Sequence, residues 1–215
     1  MSPLFRSLLT AATLTFAASS AFAVDAARLA DARNVFLKAV QGDGAAVKPA
    51  SEKFQALYDA EPDDVVVRAY LGSCLALQGR EAYMPWNKMK LTESGLAQLD
   101  KALGQLTPAH DRKIVDGFPA SLEARLVAAS TFLDMPDLFR RFDAGKRVLN
   151  DAMTHPAFES IPPMAASRFH YQAAKVAKKE GRKVDEAASL RMTLALDPQS
   201  PDAAAAKKRL QELGA

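Results

Sequence analysis

The stretch Gly181 to Pro201, GRKVDEAASLRMTLALDPQSP, predicts the second half of a helix-turn-helix unit. A charged turn opens an amphipathic segment, and Asp197-Pro198 closes it, because proline lacks the amide hydrogen that a continuing helix needs. The same ending occurs upstream in ASEKFQALYDAEPDD, residues 50–64, where Pro62 takes the closing position. The recurrence of one ending at two places indicates a helical repeat architecture.

Helical periodicity continues over most of the remaining chain. We predict helices over Asp25–Val40, Ser51–Ala60, Val65–Gln78, Ala120–Leu133, Leu138–Met153 and Asp202–Leu213, and a last repeat unit that begins near Met164. Asp63 or Asp64 can cap the helix that starts at Val65, since a carboxylate accepts hydrogen bonds from the unpaired first amides of a helix. The pattern therefore predicts an all-α protein.

In the unit that starts at Val65, Leu71-Gly72, Leu75 and Gly79 fall at the spacing of a known motif, and Ala50, Phe54, Leu57 and Pro62 match the preceding half-unit. In these residues the chain resembles the tetratricopeptide repeat (TPR) family. We expect it to be a small exported bacterial member of that family. Leu57 departs from the motif, because a smaller alanine is usual there. The resemblance implies a right-handed solenoid of helical hairpins with a concave groove, forming a single domain over residues 24–215. The Asp202–Leu213 helix would be its C-terminal capping helix.

Residues 1–23 have the pattern of a secretory signal peptide. Arg6 precedes an apolar run from Leu8 to Ala18, and the small-residue end Ala21-Phe22-Ala23 predicts cleavage after Ala23. The only cysteine, Cys74, is far from this point, so we do not expect a lipoprotein. The expected location is the periplasm, without stable membrane insertion after signal cleavage.

Charge and motif content argue against several classes of function. The 28 basic and 25 acidic residues are too balanced for a nucleic-acid-binding protein, which usually carries a strongly basic stripe. His110, His155 and His170 stand apart without metal-ligand spacing, and the sequence has no glycine-rich phosphate loop. We therefore predict no catalytic residues, no metal site and no cofactor, and we interpret Cys74 as a small buried hydrophobic residue.

The segment Arg80–Leu91, REAYMPWNKMKL, does not fit a minimal repeat and is interpreted as an insertion, with helix resuming at Thr92 or Ser94. Its large side chains are Tyr83, Met84, Trp86 and Met89. One interpretation is a local lid that folds back on the solenoid. The other is a loop that contacts a partner, because Trp, Tyr and Met are enriched at interface centres.

The resemblance also implies which residues line the groove. Counted from Ser167, the family's groove positions in the last unit carry four cations and one aromatic ring: Arg168, Tyr171, Lys175, Lys178 and Lys179. Such a face suits an acidic peptide or a free carboxylate; the alternative is a solvated charged face near the chain end. The same positions in the Val65 unit are mostly apolar: Val66, Ala69, Ser73, Ala76 and Leu77. The groove is therefore expected to grade from apolar to basic.

The first hypothesis is that the protein is a periplasmic scaffold or adaptor for protein–protein interaction. It would be accessory to an envelope transport or assembly machine. Its partner would be a protein or peptide, with an acidic peptide suited to the basic face, and the protein itself would be a monomer. A small-ligand or metal carrier is the alternative. An envelope hydrolase is the third and least favoured hypothesis.

Overall fold

The computed structural model describes residues 26–215, and these residues are mostly helical. Their regular structure consists of ten α-helices, two short 3₁₀ helices and one two-stranded β-hairpin. The all-α prediction is therefore confirmed. The predicted signal peptide, residues 1–23, lies outside the described residues. Within residues 26–215 no helix is both long enough and apolar enough to cross a membrane.

The helices follow one another with short connections. They are α1 (Ala26–Val40), α2 (Gly44–Ala60), α3 (Val65–Glu81), α4 (Pro85–Gly104), α5 (Pro108–Arg112), α6 (Ala120–Leu133), α7 (Phe142–Met153), α8 (Pro163–Lys179), α9 (Lys183–Leu196) and α10 (Pro201–Leu213). The 3₁₀ helices are Asp137–Phe139 and Pro156–Ser160. The strands β1 (Ile114–Val115) and β2 (Phe118–Pro119) pair antiparallel between α5 and α6.

Neighbouring helices pack in pairs: α1 with α2, α3 with α4, α6 with α7, and α8 with α9, while α10 packs on α9. The first helices of these pairs also touch one another, since α1, α3, α6, α8 and α10 make contacts in that order. Five helices therefore share one side of the described chain, and the cavities described below lie among them.

The start of α3 follows the predicted capping rule. The Asp64 carboxylate accepts hydrogen bonds from the backbone amides of Val66 and Val67 at 2.8 and 2.9 Å. These bonds satisfy two donors that have no partner inside the helix. The prediction that Asp63 or Asp64 caps this helix is confirmed for Asp64.

Three aromatic rings fix α1 and α2 on α3. Phe54 and Tyr70 stack with ring centroids 4.6 Å apart, and Phe36 meets Tyr70 edge-on at 5.0 Å. All three rings are buried in the largest apolar cluster of the described chain. Such ring pairs contribute about 0.5–1.5 kcal/mol beyond the burial of their area.

The predicted insertion over Arg80–Leu91 is not a loop. α3 continues to Glu81 and α4 begins at Pro85, so helix resumes well before the expected Thr92 or Ser94. Proline is well suited to begin a helix, because the first turn does not use the amide hydrogen that proline lacks. The segment therefore lengthens the α3–α4 hairpin.

Two further features differ from the predictions. Helix Leu138–Met153 was expected to be continuous, whereas α7 begins only at Phe142, after Arg140 in a left-handed conformation with φ of 50°. The β-hairpin was not predicted at all. It turns at Asp116 and Gly117, both with positive φ, 48° and 89°.

α3 and α4 cross at two glycines. A Cβ atom on Gly72 would lie 2.7 Å from the carbonyl oxygen of Gly95 and 2.9 Å from Cγ of Leu99. A Cβ on Gly95 would lie 2.7 Å from the backbone nitrogen of Ala76. These distances are shorter than van der Waals contact, so only glycine lets the two backbones approach this closely.

We expect Gly95→Ala to destabilise the fold by about 1–3 kcal/mol or more, because the added methyl group must push α4 away from α3. Urea unfolding followed by circular dichroism measures this change. Gly104→Ala is the matched control on the same helix, since a Cβ there meets nothing within 4 Å. Unfolding curves that coincide for Gly95→Ala and the wild type would contradict the close crossing.

Candidate functional site

The shared side of the five helices contains a cavity of about 620 Å³. α1, α3, α6, α8 and α10 each contribute side chains to its wall. Such an open, multi-helix cavity is the usual form of a binding site. We call it the groove cavity.

The two sides of the groove cavity differ in character. Leu37 and Val40 of α1 and Leu77 of α3 contribute apolar surface next to Gln41 and Arg80, and Leu37 and Val40 remain 40% and 45% exposed. Arg168 and Lys175 of α8 lie on the other side, together with Tyr171 of α8 and Asp202 of α10. Exposed apolar side chains beside fixed charges suit a ligand that is itself amphipathic.

Three of the five predicted groove residues lie together in this cavity: Arg168, Tyr171 and Lys175. Lys178 and Lys179, on the same helix, are not part of its wall. Lys179 instead forms an ion pair with Asp137, and its ammonium lies 4.6 Å from the ring centroid of Phe142. The basic face therefore divides into a groove part and a part outside the groove.

The cavity carries both signs of charge. Lys175 forms an ion pair with Asp134, whereas Arg168 makes no hydrogen bond or ion pair with any other residue of 26–215. Burial raises the pKa of Asp202, and Arg168 and Lys175 nearby oppose that rise. Burial also raises the pKa of the Tyr171 hydroxyl, with Asp202 and Asp134 acting in the same direction. Arg168 is thus the groove cation with a free binding face.

Four side chains of the Arg80–Leu91 segment were predicted to contact a partner. They lie exposed at the tip of the α3–α4 hairpin. Tyr83, Met84, Trp86 and Met89 are 89%, 40%, 66% and 37% exposed. Trp86 and Met89 are three positions apart on α4 and share one face of its first turn. The exposure of Tyr83 and Trp86 favours the partner-contact interpretation over the lid for these two side chains, whereas Met84 and Met89 are mostly covered. We call these four residues the hairpin tip.

A second cavity, of about 330 Å³, lies where α1, α3, α6 and α8 meet the β-hairpin. Arg33, Tyr70, Glu123, Asp116 and Arg168 line it. We call it the polar cavity. Sequence analysis identified only Arg168 of these residues as part of a site.

Glu123 is the centre of the polar cavity and is 2% exposed. The hydroxyl of Tyr70 donates a hydrogen bond to its Oε1 at 2.9 Å, and Arg33 forms an ion pair with the same oxygen. Arg33 also pairs with Asp116, which the positive φ of the hairpin turn brings to α1. Four separate parts of the chain therefore meet in one charged network.

Burial is the dominant influence on the ionisable groups of this network. Burial raises the pKa of Glu123, while Arg33, the Tyr70 hydroxyl and Arg168 oppose the rise. Burial also raises the pKa of Tyr70, and the Glu123 charge adds to that effect. Tyr70 therefore stays a proton donor to Glu123 over the physiological pH range.

The contacts and burial of the three histidines and of Cys74 indicate structural roles. His110 closes a capping box with Thr107 at the start of α5, and Nδ1 of His155 accepts a hydrogen bond from the amide of Ala157 at 3.2 Å. His170 is half-buried, and burial lowers its pKa. Cys74 is fully buried, and burial raises the pKa of its thiol to about 12. Among residues 26–215 no group of three or more His, Cys, Asp or Glu side chains could hold a metal ion.

A further open cavity, of about 660 Å³, lies between α7, α8 and α9. Two of its cations are paired: Lys146 with Glu180, and Arg182 with Glu180 and Asp185. Arg147, Asp143 and Asp151 also line it, so it carries charges of both signs.

No family model, curated protein or solved structure gives a significant match to the chain. A function is therefore inferred from the geometry of the groove cavity, the polar cavity and the hairpin tip.

We expect Tyr70→Phe to destabilise the protein by about 1–3 kcal/mol, because it removes a hydrogen bond from a buried carboxylate. Thermal and urea unfolding measure the change at neutral pH. Tyr83→Phe removes the same hydroxyl from a side chain that is 89% exposed and should leave stability unchanged. Equal losses, or none in either variant, would contradict the structural role of this hydrogen bond.

Proposed function

We propose that residues 24–215 form a right-handed, TPR-like solenoid of helical hairpins. The packing of helices in consecutive pairs, with α1, α3, α6, α8 and α10 in successive contact, supports this arrangement. α10 would be the capping helix: Ala203, Ala206 and Leu210 are buried, while Lys207 and Lys208 are exposed. A polar outer face on the last helix protects the end of a stack.

We infer that this solenoid is an interaction scaffold whose groove cavity holds a segment of a protein partner. The observation that carries this proposal is the cavity of about 620 Å³ walled by five helices from along the described chain. A groove of this kind accepts an extended or helical peptide. We propose neither an enzymatic activity nor nucleic-acid binding nor a cofactor for it.

The groove cavity suits a segment with apolar side chains and a carboxylate. Leu37, Val40 and Leu77 would contact its apolar side chains. Arg168 would bind its carboxylate, because this cation has no ion pair within residues 26–215 to exchange. Lys175 is engaged with Asp134, so a uniformly acidic partner is less suited than an amphipathic one.

We further propose that the protein acts in the periplasm, after cleavage of residues 1–23, as a monomer without a lipid anchor. Such a scaffold would be accessory to an envelope transport or assembly machine. The alternative function, a small-ligand carrier, has support from the separate polar cavity.

The double variant Leu37→Ser/Val40→Ser tests the groove cavity. It should weaken partner binding by about tenfold or more, because it removes exposed apolar surface at the groove. Its melting temperature should stay nearly unchanged. A partner is first captured from periplasmic extract and identified by mass spectrometry; its affinity for each variant is then measured by calorimetry.

Val184→Ser is the matched control for this pair, because Val184 is 82% exposed on α9 and lies outside the groove cavity. This control should bind the partner as the wild type does. A partner that binds the Leu37/Val40 variant with wild-type affinity would exclude the groove as its site.

The hairpin tip gives a separate prediction. Trp86→Ala should weaken partner binding, because truncation of an interface anchor typically costs about 2 kcal/mol or more, while thermal stability stays unchanged. Met192→Ala is the control, since Met192 is an exposed apolar side chain on α9. Unchanged affinity with Trp86→Ala would exclude the tip, and loss with both variants would indicate a nonspecific effect.

A further inference from the structure

The polar cavity contains charged groups of both signs with unused hydrogen-bonding capacity, and Nε of Arg33 is one of them. Oε2 of Glu123 is buried and has no hydrogen-bond partner among residues 26–215. Arg168, which lines the same cavity, makes no hydrogen bond or ion pair with any of these residues. A buried carboxylate oxygen without a donor carries a desolvation cost, which a bound donor would remove.

The remaining charges decide which kind of ligand fits. Two cations, Arg33 and Arg168, and two anions, Asp116 and Glu123, line the polar cavity, so these four side chains carry no net charge. A simple anion would be repelled by Glu123 and Asp116, and a simple cation by the two arginines. A ligand with one positive and one negative group can instead pair with both free sites.

We propose that the polar cavity binds a free α-amino acid. The ligand's ammonium group donates to Oε2 of Glu123, and its carboxylate accepts hydrogen bonds from the Arg168 guanidinium. Arg33 and Tyr70 hold Glu123 in place through its other oxygen. Hydrogen bonds in which both partners are charged are shorter and stronger than those between neutral groups.

The other walls of the cavity select the ligand's side chain. Phe118 and Ala165 are buried apolar residues, and Met164 is 65% exposed beside them. A volume of about 330 Å³ accommodates a medium-sized apolar amino acid such as leucine or methionine. The exposure of Met164 and of the Asp116 side chain leaves the cavity open to solvent.

This inference goes beyond the scaffold function and does not depend on it. The groove variants at Leu37 and Val40 change residues that line only the groove cavity, so they should leave amino-acid binding intact. Arg168 lines both cavities and is the one residue through which the two ligands could influence each other.

The experiment titrates the whole protein with L-leucine and L-methionine by isothermal titration calorimetry. N-acetyl-leucine lacks the ammonium group, and leucine amide lacks the carboxylate. We expect measurable binding of at least one free amino acid, and a loss of about tenfold or more for each modified compound, the size expected for a lost charge-assisted hydrogen bond.

Variants of Arg168 and Glu123 test the contacts with the ligand's carboxylate and ammonium groups. Arg168→Gln should weaken leucine binding by about tenfold or more without changing the binding of leucine amide, which cannot use this guanidinium. Arg191→Gln removes an exposed cation on α9 outside the cavity and should change neither. Glu123→Gln should weaken leucine and leucine amide alike; if this variant does not fold, N-acetyl-leucine supplies the same test on the wild type.

Three results would overturn the proposal. They are the absence of binding of both leucine and methionine at millimolar concentration, equal affinity for leucine and N-acetyl-leucine, or an unchanged leucine affinity in Arg168→Gln. None of these results bears on the capture of a protein partner, so the two proposals fail separately.

Discussion

The buried carboxylate of Glu123 is the interaction on which the inner side of the described chain depends. It lies on α6, accepts a hydrogen bond from Tyr70 of α3 and pairs with Arg33 of α1. Arg33 in turn holds Asp116 of the β-hairpin. A buried charge is costly unless it is paired, so the network is stable only when these four elements are in register. It therefore specifies one arrangement of the helices more than it adds to their stability.

Tyr70 connects this network to the aromatic core. Tyr70 stacks with Phe54 on one side and lines the polar cavity on the other, so the aromatic core and the charged cluster share a residue. Arg168 lies at the boundary, lining both the groove cavity and the polar cavity. The positive charge of Arg168 acts on both cavities, since it opposes the rise in the pKa of Glu123 in the polar cavity and of Asp202 in the groove cavity.

Local signals allowed much of the fold to be predicted, and long-range pairs account for what was missed. The Asp64 cap depends on neighbouring residues, and the prediction of Asp63 or Asp64 as the cap was correct for Asp64. Arg33 and Glu123 are far apart in the chain, and no spacing rule connects them. One signal was available: Glu123 is a charged residue within α6, whose other positions are mostly apolar and buried. The start of α4 was predicted too late, at Thr92 or Ser94, because Pro85 was not recognised as the first residue of a helix.

The groove residues show why spacing alone overestimates a basic face. The resemblance placed Lys175 and Lys179 beside Arg168, but Asp134 and Asp137, from the break between α6 and α7, pair with the two lysines. Exposed ion pairs contribute only about 0–1 kcal/mol, so an acidic ligand at Lys175 would replace one weak pair with another. At Arg168 the same carboxylate would form a new pair without breaking one. The affinity of the groove cavity for a carboxylate should therefore depend on Arg168 more than on the number of cations along α8.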